Sequence, residues 1–245
     1  MFEYFSPYYD GGPFRLFGAS HVAAIAVIVT AATALVGSAR AGSARRRRRL
    51  RFALALVLLL NEVGWHLWNL SSGSWALERM LPLHMCAAMV WITVAALLLE
   101  KRALYPMLYF FGIAGAAQAL ITPDLGAFGF PHYRFFQTML SHGLLVTGGL
   151  WVVTVERWRP TARSLAAVLL GLNAYALVIL WVNMRIGSNY LFLARKPGGA
   201  SLMDFFPEWP WYLLILEGLT IVILTLMYLS VRSRPEPQAQ HLVWP

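Results

Sequence analysis

The chain has 245 residues, of which 59% are hydrophobic and 13% are charged, and its mean hydropathy is +0.59. This composition excludes a soluble domain of this length and indicates an integral membrane protein. The formal charge of +9 could suggest a nucleic-acid partner, but much of the basic excess is one run, Arg45 to Arg49, wedged between two apolar segments. We therefore expect no nucleic-acid partner.

Seven apolar stretches are long enough to cross a hydrocarbon core, which needs about 20 helical residues. In chain order they cover residues 18–38, 51–70, 82–99, 104–122, 133–155, 164–184 and 211–231. The sequence therefore predicts an all-α fold, a polytopic membrane protein with seven transmembrane helices in one domain, residues 1–231. The polar tail, residues 232–245, is predicted to be a disordered cytoplasmic end.

The basic residues predict how these spans are oriented. If the loop from Arg40 to Arg51 is cytoplasmic, most of the 20 basic residues lie on that side. The bias of Lys and Arg toward cytoplasmic loops then predicts the N-terminus outside and the C-terminus in the cytoplasm. The oligomeric state is left open.

Polar residues that are costly in lipid gather in the outer halves of the predicted spans. The inner halves are almost wholly Leu, Val, Ala and Ile, so this clustering favours a polar cavity open to the outer face. Any single one of these residues could instead join helices by a hydrogen bond. The set is Glu62, His66, His84, Cys86, Gln118, Arg134, Gln137, Thr138, His142, Asn183 and Glu217.

Cys86, the single cysteine, is the candidate nucleophile. Pro82 suits the first turn of a helix, which predicts that Cys86 lies near a helix N-terminus, where unpaired amides stabilise an anion. A lone cysteine in a membrane helix can equally be a small packing residue.

The candidate base for Cys86 is His142 and not His84. Residues two apart on a helix point to different sides, which separates His84 from the thiol. His142 lies about two turns below the outer surface, on one stripe with Arg134 and Thr138. A cysteine and a histidine at matched depth are the minimum for nucleophilic acyl transfer.

A metal site is a weaker interpretation of the same residues. Glu62 and His66 with His84 and Glu217 make only a loose match to metal-ligand spacing. We therefore expect no metal and no other cofactor. A metal-dependent hydrolase that uses Glu62, His66, His84 and His142 stays open as an alternative.

Five motifs in combination resemble a known family. They are PLHMC, GIAGAAQALITPDL, FPHYRFFQTMLSHG, NYLFLARKP and EWPWYLL. They resemble the YwaF-like bacterial membrane proteins, which are related to the TMEM164 acyltransferases, and more distantly the androgen-induced lipid hydrolases. The resemblance implies a multi-pass protein of a bacterial cytoplasmic membrane that moves a fatty acyl chain between lipids through a cysteine thioester. By the family pattern the nucleophile is Cys86 and its partner is His142.

The outer loops are expected to cover the cavity. Asp124 and the segment from Asn189 to Pro197 lie outside, over the proposed site. There Arg195 or Lys196 could meet a phosphate, while Tyr190 and Phe192 cover an acyl chain. An ordered loop held by its own hydrogen bonds is an equal alternative.

Together these features predict acyl transfer or ester hydrolysis on phospholipid or a related lipid, which is both substrate and solvent. The leading alternative is a membrane protein that binds or transports a lipid or solute without chemistry. A transporter normally needs a binding site that opens to both sides of the membrane. The inner halves of the predicted spans are apolar, which counts against transport.

Overall fold

The computed structural model describes residues 3–197 and 202–231. These two ranges contain eight α-helices and no strand. The predicted polar tail lies outside the described residues. The helices are α1 (Ala19–Ala41), α2 (Ala44–Ser71), α3 (Leu77–Met80), α4 (Met85–Leu99), α5 (Tyr105–Ile121), α6 (Tyr133–Thr154), α7 (Ala162–Ile186) and α8 (Trp211–Val231).

Five helices in the described ranges are long and apolar enough to cross a membrane, judged by length and composition. They are α1, α2, α5 with the turn that precedes it, α7 and α8. The chain is therefore a multi-pass helical membrane protein. Each of the seven predicted stretches coincides with one helix, but α4 has only 15 residues and α6 begins with polar turns. The count of seven spans, the orientation of the termini and the single domain stay predictions.

α2 begins earlier than the sequence predicted. The helix starts at Ala44, so the arginine run occupies its first two turns instead of a loop, and two residues separate it from α1. The hydroxyl of Ser43 accepts a hydrogen bond from the backbone N–H of Arg46 (3.3 Å) and caps the helix. Because arginine is a good helix former, the helix continues beyond its apolar segment.

Contacts at the helix termini define two ends of the bundle. His21 Nε2 donates to the carbonyl oxygen of Leu120 (2.8 Å), which joins the start of α1 to the end of α5. At the opposite end, Arg51 pairs with Glu100 and joins the start of α2 to the residue after α4. We name these the upper end and the lower end. The predicted outer face corresponds to the upper end.

α6 lies at the centre of the bundle, packed against α1, α2, α4 and α5. Its crossing with α5 is very close, because a Cβ atom on Gly149 would lie 2.6 Å from the backbone oxygen of Leu108. A Cβ atom on Gly112 of α5 would lie 3.2 Å from the backbone oxygen of Leu145. Small residues allow membrane helices to approach this closely, so the two glycines fix the position of α6.

Candidate functional site

A cavity of about 480 Å³ lies at the upper end of the bundle. Two arginines and one glutamate give its wall a net positive charge. We name it the upper cavity. Its wall consists of Ala76, Glu78, Arg79, His84, Gly187, Ser188, Asn189, Phe192 and Arg195.

His84 joins the start of α4 to the loop that follows α7. Its Nδ1 accepts a hydrogen bond from the backbone N–H of Leu191 (3.3 Å), and its ring packs against the rings of Tyr190 and Phe192. α4 itself begins at Met85 and not at Pro82, so His84 is the residue before the helix. The loop thus folds against the first turn of α4.

Tyr190 is fully buried and fastens this loop to the bundle. Its hydroxyl donates to the carbonyl oxygen of Leu77 (2.6 Å) and accepts from the backbone N–H of Leu81 (2.9 Å). Asn183, at the end of α7, bonds both the backbone N–H and the carbonyl oxygen of Tyr190. Burial raises the pKa of the Tyr190 hydroxyl, which keeps it protonated as a donor. Tyr190 is therefore a structural residue in this arrangement.

Asn189 and Lys196 also bond within the outer loops. The Oδ1 atom of Asn189 accepts from the backbone N–H groups of Ala194 and Arg195 (both 3.1 Å). Lys196 Nζ donates to a carboxylate oxygen of Glu208 (3.0 Å) and to a backbone oxygen. Of the predicted phosphate-binding pair, Arg195 is the residue that lines the upper cavity.

The position of Cys86 follows from how α4 packs on α6. Both helices begin at the upper end and run in parallel, and a Cβ atom on Gly148 of α6 would lie 2.9 Å from Cγ2 of Thr93 on α4. Seven residues are close to two helical turns, or about 10 Å. Counting seven residues upward from this contact puts Cys86 at the height of Ser141 and on the side of α4 that faces α6. Its side chain packs on the apolar core.

His142 follows Ser141 on α6, at the same height as the thiol and about 100° further round the helix. Its Nδ1 lies 2.8 Å from the carbonyl oxygen of Thr138. Because a carbonyl can only accept, Nδ1 carries the proton and Nε2 of the neutral ring keeps a lone pair. No hydrogen bond joins Cys86 to His142. The ring is thus in the tautomer of a base, adjacent to the face that meets Cys86.

Arg134 and its neighbours contact α2. The guanidinium of Arg134 lies 4.0 Å from the ring centre of Trp65, and it donates to Oε1 of Gln137 (2.8 Å). The hydroxyl of Thr138 donates to the same oxygen (3.4 Å). Asn61 Nδ2 donates to the backbone oxygen of Gln137 (3.2 Å). This polar group therefore joins the upper parts of α2 and α6.

Glu62 and His66 form a pair on α2. Glu62 is buried, and its Oε1 lies 3.6 Å from Nε2 of His66. Nδ1 of His66 accepts from the indole N–H of Trp75 (3.2 Å). His84 and His142, the other residues of the metal alternative, bond elsewhere. In residues 3–197 and 202–231, no three His, Cys, Asp or Glu side chains come together as a metal-binding group.

Of the predicted site residues, His84, Asn189, Phe192 and Arg195 line the upper cavity, and the others lie outside its wall, among them Gln118, Asp124 and Glu217. Gln118 is exposed and donates to the hydroxyl of Thr122 in its own helix end (3.1 Å). Asp124 is exposed in the connection between α5 and α6. Glu217 on α8 accepts from Asn173 on α7 (2.9 Å).

The sequence does not predict three polar residues of the cavity wall, which are Glu78, Arg79 and Ser188. It also does not single out Ser141, which the seven-residue count aligns with Cys86 and which precedes His142 in the motif LSHG. Arg79 lies in a four-residue helix between two predicted spans, where a basic residue has no distinguishing pattern.

Comparison with known proteins gives a family for the chain. The TMEM164 family matches residues 16–228. An uncharacterized protein of Treponema pallidum (strain Nichols) is 30% identical over 238 residues, which covers 96% of this chain and 97% of that protein. No solved structure matches the chain. The relationships to YwaF-like proteins and to androgen-induced hydrolases stay predictions. With the match extending from before α1 into α8, the chain belongs to the TMEM164 family.

Proposed function

We propose that the protein is a membrane acyltransferase or lipid-ester hydrolase that acts on phospholipid acyl chains through a thioester on Cys86. One observation carries the proposal: the start of α4 supplies both the cavity wall, at His84, and the thiol, two residues further on. Cys86 is not in the wall of the upper cavity, so a lipid head group bound there would have to direct its ester bond along the start of α4 to the sulfur. Membership of the TMEM164 family is compatible with this role.

The head group would be bound by Arg79 and Arg195. Both residues line the upper cavity. A guanidinium presents donors in a planar fork that matches the oxygens of a phosphate. Glu78 in the same wall favours a zwitterionic head group, because its carboxylate can attract an ammonium.

The chemistry has two balanced halves. First, His142 Nε2 takes the proton of the Cys86 thiol, and the sulfur attacks the ester carbonyl carbon. The carbon–sulfur bond forms, the ester carbon–oxygen bond breaks, and the departing lysolipid oxygen takes the proton from His142. Then the hydroxyl of an acceptor lipid, or of water, gives its proton to His142 and its oxygen attacks the thioester. The sulfur leaves and regains its proton from His142.

The proposed base needs one movement. By the seven-residue count from the contact between Thr93 and Gly148, Ser141 and not His142 is aligned with the thiol, so the imidazole has to turn toward α4 by a change of rotamer. Catalytic hydrogen bonds often tighten only when substrate is bound. Because Cys86 and His142 lie at the same height, we propose that the rotation of one side chain brings the imidazole to the thiol.

The test is acyl transfer by the purified protein in nanodiscs that contain a phospholipid with a labelled acyl chain. We expect Cys86→Ala to abolish transfer and His142→Ala to lower its rate by roughly 10²-fold or more, the usual contribution of a general base. Arg79→Gln and Arg195→Gln should raise KM more than they lower kcat. Ser230→Ala, at the lower end, is the control. Undiminished transfer by Cys86→Ala would exclude the thioester.

A second candidate is a lipid-binding protein without chemistry. The observation in its favour is that no hydrogen bond joins the described side chains of Cys86 and His142, so the thiol has no bound base. In this case the wild type would retain labelled lipid, and Arg79→Gln would release it. No acylated Cys86 would be found by mass spectrometry of the intact protein.

A further inference from the structure

A second cavity, of about 390 Å³, lies at the lower end of the bundle, remote from the upper cavity. Three chain segments form its wall. Arg40 comes from the last turn of α1, Arg47 from the first turns of α2, and Val155, Glu156 and Arg157 from the connection after α6. We name it the lower basic pocket.

The charges of this pocket are incompletely matched. Three guanidinium groups face one carboxylate, and Oε1 of Glu156 already accepts a hydrogen bond from the indole N–H of Trp151 (3.0 Å). Within the described chain, Arg40, Arg47 and Arg157 form no salt bridge and no side-chain hydrogen bond. The wall of the pocket thus has positive charge and many free donors.

One of these donors is buried. Nε of Arg47 is shielded from solvent and has no hydrogen-bond partner in the described part of the chain. Leaving a buried donor unpaired costs about 1–3 kcal/mol, and more when the group is charged. Nearly all buried polar groups in folded proteins have a partner. An anion in the pocket would supply that partner.

The turn after α6 places the charged residue Arg157 in the wall of the lower basic pocket. Arg157 has φ of 54°, in the left-handed region that non-glycine residues seldom adopt. Such a conformation persists when the surrounding structure enforces it, and it is concentrated at ligand sites. The turn keeps Arg157 beside α1 and α2.

We infer that the lower basic pocket binds a phosphate group. Three guanidinium groups from three segments surround a volume large enough for a phosphate, and guanidinium groups bind phosphate oxygens in pairs. The phosphate could belong to a phospholipid head group of the adjacent leaflet or to a soluble phosphate ester. Of the arginine run, Arg47 lines the pocket and is half-buried, whereas Arg45, Arg46, Arg48 and Arg49 are exposed and lie outside its wall. Arg40 and Arg157 line the pocket with exposed side chains.

The experiment uses the full-length protein in a detergent free of phospholipid. The ligand is dioctanoyl phosphatidic acid, the matched control ligand is dioctanoylglycerol, which lacks the phosphate, and binding is measured by native mass spectrometry. We expect Arg47→Gln and Arg157→Gln each to weaken binding of the phosphatidic acid about tenfold, the loss of one charged hydrogen bond. Arg45→Gln, in the same run but exposed, should change it by less than about twofold.

Glycerol phosphate in place of the lipid distinguishes the two sources. If glycerol phosphate binds as tightly as the phosphatidic acid, the ligand of the pocket is a soluble phosphate ester. If the phosphatidic acid binds and glycerol phosphate does not, the ligand is a phospholipid head group. The inference is overturned if Arg45→Gln weakens binding as much as Arg47→Gln, since diffuse charge would then be responsible. It is also overturned if the wild type binds neither phosphate ligand, or binds dioctanoylglycerol as tightly. Thermal unfolding of each variant verifies that it is folded.

Discussion

Replacing Gly149 with alanine tests how closely α5 and α6 must approach. The new methyl carbon would lie 2.5 Å from Cγ1 of Ile113 and 2.6 Å from the backbone oxygen of Leu108. The Ile113 side chain can rotate away from it. The backbone oxygen cannot move unless α5 moves with it, so the two helices must separate.

The expected cost follows from two opposing effects. Overpacking a well-packed contact costs about 1–3 kcal/mol, while alanine in place of glycine within a helix gains roughly 0.5–1 kcal/mol. The difference lies between about 0 and 2.5 kcal/mol, so we expect Gly149→Ala to lower the free energy of unfolding by about 1 kcal/mol. This corresponds to a factor of roughly 5 in the ratio of folded to unfolded protein.

Gly115→Ala is the control, because Gly115 lies on α5, the helix that Gly149 of α6 crosses, and a Cβ atom there would meet no atom within 4 Å. We expect this variant to be as stable as the wild type or slightly more stable. Both variants and the wild type are unfolded by titration with denaturing detergent in mixed micelles, with helix content followed by circular dichroism. Equal midpoints for Gly149→Ala and Gly115→Ala would refute the close crossing.

Two further predictions concern the upper end. Tyr190→Phe leaves the partly buried N–H of Leu81 without an acceptor and removes the bond to Leu77. Thermal unfolding should therefore show a loss of about 1–3 kcal/mol, and an unchanged Tm would contradict this. Burial lowers the pKa of His132, whose ring caps α6 and bonds the carbonyl oxygen of Ser6. The folded state thus favours the neutral ring. The stability that the neutral His132 ring contributes is present above the pKa of histidine in the unfolded chain, about 6.5. It is lost as the pH falls below that value. Between pH 8 and 5 the Tm of the wild type should fall more steeply than that of His132→Asn, in which asparagine can still cap the helix; parallel curves would contradict the assignment.

The location of the helices could be predicted from the sequence because apolar length determines it. The last stretch, predicted over residues 211–231, coincides with Trp211–Val231. Helix starts were less predictable where polar residues are themselves helical. The Arg45–Arg49 run continues α2 toward its N-terminus, whereas Pro82 precedes α4 by three residues, since the chain there bends around His84.

His84 precedes α4, so the prediction that separates it from Cys86 by the helical period is not tested by the structure. The helical period describes one helix at a time. It could not predict that the guanidinium of Arg134 packs on Trp65, or that Glu217 bonds Asn173, because those partners come from other helices. Likewise the alignment of Ser141, and not His142, with the thiol follows from the contact between Thr93 and Gly148, which joins two different helices.

The hydroxyl of Tyr190 has a consequence for how a molecule could leave the upper cavity. The same oxygen is bonded to the segment before α4 and to α3, while the backbone of Tyr190 is held by Asn183. Lifting the loop would break these four hydrogen bonds and the one from Leu191 to His84, each worth roughly 1 kcal/mol net. The lifted state is then populated at about one part in several thousand. Exchange of a bound molecule past this loop would be a rare event, and its rate would be controlled by a residue that touches no substrate.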